Sequence, residues 1–301
     1  MATNTSTAAP TNAANAIATW AGFVETCIVT TAGWTVTADT GQTAPAALTT
    51  PGAINTSAGY RVYSSATLSG MTMFLKVEYG SSNTAASSPA MWWTVGTGSN
   101  GTGSITGTLI NRVQLSSSTA AATLFTSYFS GDSARLQFGL WAGDNINTVA
   151  FATATNQIFV TLERTKNSSG ADTNAGVYMG WQTCQGGTGV GAGSNNMGSL
   201  TTQTIPILED LFRTSLNSTN TTMNQGNTGG VSLPIYFSPA PNYAGLGVVL
   251  GWAADIAKYS QFNVTLYGVA HNYIWIPATT ASIGQSGSVA SGTGVWGLRY
   301  E

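Results

Sequence analysis

The chain has 301 residues, of which only 9 are Lys or Arg and 11 are Asp or Glu. That charged fraction of 7% compares with about 25% in an ordinary soluble domain, and the net charge is −2. Nine scattered cations form no basic stripe for nucleic acid. Glu209-Asp210 is the one adjacent acidic pair and lies in no calcium-loop spacing, and no run of 18 apolar residues marks a membrane span.

A folded chain of this size exposes roughly 12,000 Å², or about one charge per 600 Å² even with every ion outside. Such a surface has little repulsion to keep copies apart and is easily desolvated. The 43% hydrophobic fraction is enough for a core and excludes a disordered polar tract. Residues 1–11 are small and polar and read as an N-terminal arm, mobile or ordered by a neighbour. They lack the basic and apolar regions of a secretory signal, which leads us to expect synthesis in a cytoplasm.

From Asn12 to Val29 the pattern predicts one helix with Ile17, Trp20 or Ala21, Val24 and Ile28 on one face. The alternative is a strand in its second half, where Thr26, Ile28 and Val29 favour extended backbone. Beyond Thr30 the chain reads as β. Residues 59–64 form a short candidate strand. Residues 71–79 then alternate, with Met71, Met73, Leu75, Val77 and Tyr79 against Thr72, Phe74, Lys76 and Glu78. Residues 91–95, 133–141, 156–164, 176–182, 233–237, 246–252, 262–268 and 272–277 follow as further strands. Leu136, Phe138 and Leu140 oppose Arg135 and Gln137, and Ile158, Val160 and Leu162 share a side. This periodicity marks half-buried antiparallel strands.

Glycine makes up 36 of the 301 residues, about 12%, against about 7% usually. It concentrates in connectors at 80–89, 96–104 and 186–196. Residues 206–217, opening with Pro206 and acidic in their first half, predict a late helix. The expected fold is all-β: an antiparallel β-sandwich, jelly-roll-like, with Gly-rich loops and one or two short helices. We expect one elaborated domain over 12–301, with a possible subdivision near 185–203.

Titratable groups for catalysis are few. His271 is the single histidine and no G-x-S-x-G elbow accompanies it, so it reads as a strand-end residue. Cys27 and Cys184 make no disulfide framework or complete zinc set and are expected as reduced, packed thiols. Asp39-Thr40-Gly41 follows a strand as in aspartic proteases, but that chemistry needs a second copy of the motif. It reads instead as a turn. Asp132, Asp144, Glu163 and Asp255 lie near strand ends without a hydrolase signature. Residues 186–193 hold a G-x-G outside any βαβ context. No cofactor or metal is expected. Trp92 and Trp93 are adjacent, so on a strand they face opposite ways, and one of them is the candidate for an interface or for stacking on a sugar.

The stretch from Gly33-Trp34-Thr35-Val36 to Gly59-Tyr60, with 71–82, 89–103 and 160–181, resembles virion structural proteins of tailed bacteriophages. These are proteins of tails, baseplates and fibres or of capsid decoration. The similarity covers roughly residues 30–185. It implies a β-rich, non-enzymatic subunit present in many copies in a virion, without a cofactor. Its expected partners are itself, with a trimer favoured, and other virion proteins. A glycan- or receptor-binding adhesin is the alternative expectation.

Overall fold

The computed structural model describes residues 2–6, 16–48, 56–81, 89–116, 125–142, 157–167, 169–183, 196–197, 233–236, 245–252, 261–266, 268–277 and 294–300. They form antiparallel sheets with one short α-helix. The first sheet is a simple meander of β2 (Thr35–Val36), β3 (Ser57–Ser64), β4 (Phe74–Ser81), β5 (Pro89–Ser99) and β6 (Ile105–Ser116). The second contains β7 (Phe125–Asp132), β8 (Arg135–Ala142), β9 (Gln157–Lys166), β10 (Asp172–Thr183) and β11 (Asn196–Met197), again in chain order. Its outer position beside β7 is taken by β1 (Ala2–Ser6), from the predicted N-terminal arm. The third sheet runs β12 (Leu233–Tyr236), β13 (Gly245–Trp252), β16 (Gly294–Arg299), β15 (Val269–Pro277) and β14 (Gln261–Leu266).

The predicted helix is present over the described residues, but its second part leaves the α form. Helix α1 spans Ala16–Glu25 and widens into a π-helical turn at Thr26–Thr31. Four of those six turn residues are threonine or valine, whose branched Cβ crowds the preceding turn of an α-helix. The Thr26 hydroxyl also donates to the Gly22 carbonyl at 2.8 Å, competing with the helix ladder. Ala32 N–H then closes the wide turn onto Cys27 O at 2.9 Å. The helix face is the predicted one: Ile17, Trp20, Ala21, Val24 and Ile28 are all buried.

One apolar cluster joins the first two sheets and the helix. Met73, Leu75, Val77 and Tyr79 meet Trp93 and Val95 from the first sheet, and Phe129, Leu136, Phe138, Val160 and Leu162 from the second. Trp93 stands edge-on to Phe138 with centroids 5.9 Å apart, and Trp20 stands edge-on to Tyr79 at 6.4 Å. Along 71–79 the alternation holds at every position, with odd-numbered residues buried and even-numbered ones intermediate.

The strands of the second sheet are not half-buried as the alternation predicts. Their polar face is covered too: Ser130, Gln137, Thr161 and Glu163 are all within 1% of full burial. The cover is the third sheet, where β13 packs on β9, β16 packs on β8, and Tyr300 meets Tyr128 edge-on at 6.0 Å. A period of two reports which side chains share a face, but a later sheet decides whether that face stays wet.

Arg164 is the joint between the first two sheets. It sits on β9 in the inward-facing register and is fully buried. Its guanidinium donates to the carbonyls of Met71 at 2.7 Å, Ala66 at 3.2 Å and Leu68 at 3.2 Å, and to Ser65 Oγ at 3.1 Å. Those acceptors line the arch between β3 and β4. The arch turns through Ser69 (φ 50°) and Gly70 (φ 80°), consistent with a tight hairpin turn that needs two left-handed residues. Ser69 Oγ donates to Asp172 O at 2.7 Å, adding a second tie. Replacing Arg164 with Leu leaves three carbonyls without their donor and is expected to lower stability by about 3 kcal/mol. A urea midpoint shift at unchanged slope measures it, and a loss below about 0.5 kcal/mol, the level of an ordinary surface substitution, contradicts the joint.

Candidate functional site

Strand register builds an ordered row on the outer face of the first sheet. Tyr60, Glu78, Trp92 and Gln114 lie on one rung across β3 to β6. Two of the chain's few cations cover its rings. Lys76 Nζ lies 4.4 Å from the Tyr60 ring centroid, and the Arg112 guanidinium lies 4.4 Å from that of Trp92. Arg112 is fixed there by Glu78, with Nε donating to Oε2 at 2.8 Å.

Trp92 and Trp93 therefore face opposite ways, as their adjacency on a strand requires. Neither ring is open, however: Trp92 is 1% exposed and Trp93 0%. Trp93 belongs to the apolar cluster, and its Nε1 donates to Met91 Sδ at 3.1 Å. Trp92 lies beneath Arg112, and its Nε1 has no hydrogen-bond partner among the described residues. The exposed stacking platform expected at this pair is replaced by a cation–π pair. Such pairs contribute about 0.5–1 kcal/mol at partly exposed sites.

Asp39 is a staple. Its carboxylate accepts from Thr37 Oγ1 at 2.7 Å, from Gly103 N–H at 2.8 Å and from Ser99 Oγ. The last two donors belong to the tip of the β5–β6 hairpin, 60 or more residues away in sequence. Thr40 N–H reaches Gly101 O at 2.8 Å, and Tyr60 Oη reaches Thr40 O at 2.8 Å. Gly103 is required here: it lies at φ 83°, and a Cβ would collide with the Tyr60 ring. Burial raises the Asp39 pKa, but the hydrogen bonds from Ser99, Thr37 and Gly103 outweigh it and hold the carboxyl below its ordinary value of 3.8. A carboxyl that shares or donates a proton needs the opposite shift.

Asp132 and Glu163, two of the acids near strand ends, are brought to the same cation. Arg135 lies 3.8 Å from Asp132 and 4.0 Å from Glu163, and its side chain is 3% exposed. Lys166 adds contacts to Glu163 at 4.0 Å and to Asp172 at 2.6 Å. Burial lowers the Arg135 pKa; Glu163 opposes that shift and the nearby Arg299 reinforces it. Arg135 Nε and Nη1 and Gln137 Oε1 have no hydrogen-bond partner among the described residues. The buried Glu163 and the partly exposed Asp132 are thus placed as counter-ions around one guanidinium rather than across a cleft.

The remaining candidates scatter. His271 lies half-buried on β15 opposite Val264. Cys27 is fully buried in the core. Cys184, Asp144, Asp255, the 186–193 glycine stretch and the 206–217 helix lie outside the described residues. Among the described residues no group of three His, Cys, Asp or Glu is placed to hold a metal. Sequence reasoning missed Arg112, Lys76 and Tyr60 as a set, and only the strand register could have revealed them. No protein-family model, curated protein or solved structure matches this chain.

The ionic side chains among the described residues are engaged with partners in the same chain, from Arg61–Glu25 at 2.8 Å to the Arg164 joint. Asp39→Ala is expected to cost about 1–2 kcal/mol at neutral pH, allowing for partial exposure. Because the folded pKa is lowered from 3.8, the charge-dependent part of that contribution is present above the unfolded pKa and is lost as pH falls through the folded pKa. Paired urea titrations of the parent and variant should show a gap that narrows in acid, and a gap that is the same in acid as at neutral pH contradicts the staple.

Proposed function

We propose that this chain is a non-enzymatic structural subunit of a tailed-phage virion. A place in the tail, baseplate or fibres stands ahead of capsid decoration. In this reading the first two sheets form a β-sandwich, the protein works as a homo-oligomer with a trimer as building block, and its other partners are virion proteins. The observation that carries it is the disposition of charge. With only 20 ionic residues in 301, and those that are described engaged inside the chain, an interface of about 800 Å² per partner forms with almost no charge to desolvate.

The resemblance of residues 30–185 to virion proteins supports the same reading. So does the all-antiparallel architecture, in which burial and hydrogen bonding supply the stability. The adhesin alternative loses its main support, because both adjacent tryptophans are covered. Light scattering after size exclusion, with negative-stain images of the same fractions, tests the proposal. A discrete trimer or larger closed assembly is expected. A single monomer peak that persists at the highest soluble concentration contradicts it.

A further inference from the structure

Within the second sheet β7 to β11 are joined in chain order, and β1 alone breaks that order. Five strands of another sheet separate it in sequence from its neighbour. Without it the meander would end on the unpaired main chain of β7, an edge that proteins rarely leave open. We propose that this β7 edge is a strand-acceptor site whose occupant, in the assembled protein, is the 2–6 segment of a second copy of this chain. The proposal rests on the reading that copies associate, and it names the element that joins them.

The pairing is suited to exchange because a β ladder is made by main-chain groups that every copy presents alike. The register sets Ala2 opposite Gly131, Thr3 opposite Ser130, Asn4 opposite Phe129, Thr5 opposite Tyr128 and Ser6 opposite Ser127. The donated residues are small, and none is a large apolar side chain that would lock into one particular core. The acceptor strand itself needs glycine at one end, since a Cβ on Gly131 would lie 2.5 Å from the Phe129 ring and 3.0 Å from the Ala32 Cβ. The ladder that β1 makes is the same whichever copy supplies it, which is the basis of strand addition and of domain swapping.

The tether permits it. Nine residues, 7–15, separate β1 from α1, and a nine-residue chain spans up to about 30 Å. That reach far exceeds the roughly 4.8 Å between neighbouring strands. In the folded chain β1 also contacts the π-helical turn after α1, one helix length of about 15 Å from Ala16, where the arm departs, and the tether spans that distance. Two copies related by a symmetry axis beside this face can trade arms without disturbing the core. Residues 1–24 carry no ionic side chain, so the arm crosses between copies without desolvating a charge.

The test uses two full-length chains with Cys184→Ser, distinguished by mass tags. One carries Ser6→Cys and the other Ser127→Cys, positions that face each other in the register. Directly opposed strand residues lie within disulfide range. Co-assembly followed by mild oxidation should give a mixed-tag disulfide dimer on a non-reducing gel. The doubly substituted chain, Ser6→Cys with Ser127→Cys, is the control for the register. An assembled sample in which only that control closes, and only within one chain, overturns the exchange and leaves the assembly reading standing. A control that does not close at all overturns the acceptor site. Chains that remain monomeric overturn both. Deletion of residues 2–6 should leave the near-ultraviolet circular dichroism intact and abolish the oligomer mass, and an unchanged mass counts against the proposal.

Discussion

The rest of the structure depends on the chain holding its own few ions. Arg164 shows how. A fully buried guanidinium would be strongly destabilising without partners, and the arch between β3 and β4 supplies three carbonyls and a hydroxyl. The arch in turn keeps its shape because those carbonyls have a donor. Thus one side chain ties one sheet to the other at a defined place, beside the apolar cluster that packs between them. Trp34 adds a tie at the same end of the second sheet, its Nε1 donating to Asp132 O at 2.9 Å.

The second sheet is the keel. One face joins the apolar cluster, and the other carries Arg135, Gln137, Thr161 and Glu163 beneath the third sheet. The two faces differ in their chemistry. Burial of hydrocarbon secures the first sheet and the helix, whereas the face under the third sheet carries ion pairs and a hydrogen bond made within the second sheet itself. Charge is thereby drawn inward or paired along the outer face of the first sheet, where Glu78, Arg112 and Trp92 form a closed set. Among the described residues, ionic groups such as Arg112 and Asp132 keep contact with solvent beside a partner of opposite charge.

Much of this was legible in the sequence, and the exceptions have physical causes. The 71–79 alternation and the helical face at Ile17, Trp20, Val24 and Ile28 needed only local geometry. The two-sided burial of β8 and β9 was not legible, because Arg135 and Glu163 look like solvent-facing residues until a third sheet covers them. Strand β6 escaped notice since its partner β5 slips register between Trp93 and Gly96, and Gly107 at φ 56° breaks its periodicity. The Asp39 staple was half legible. The turn could be read from Asp-Thr-Gly, but Ser99 and Gly103 are too distant in sequence to be suspected. Arg164 carried no signal at all: a lone arginine at a strand end gives no hint that an arch of carbonyls waits opposite.

The central claim is that copies associate through neutral surface, and its most direct test is the salt dependence of self-association. Sedimentation equilibrium between about 0.01 M and about 1 M salt spans a fall in screening length from about 30 Å to about 3 Å. The account predicts an association constant that stays flat or rises modestly as salting-out strengthens apolar burial. A steep weakening with salt would mean that ion pairs between copies hold the assembly, and would contradict it.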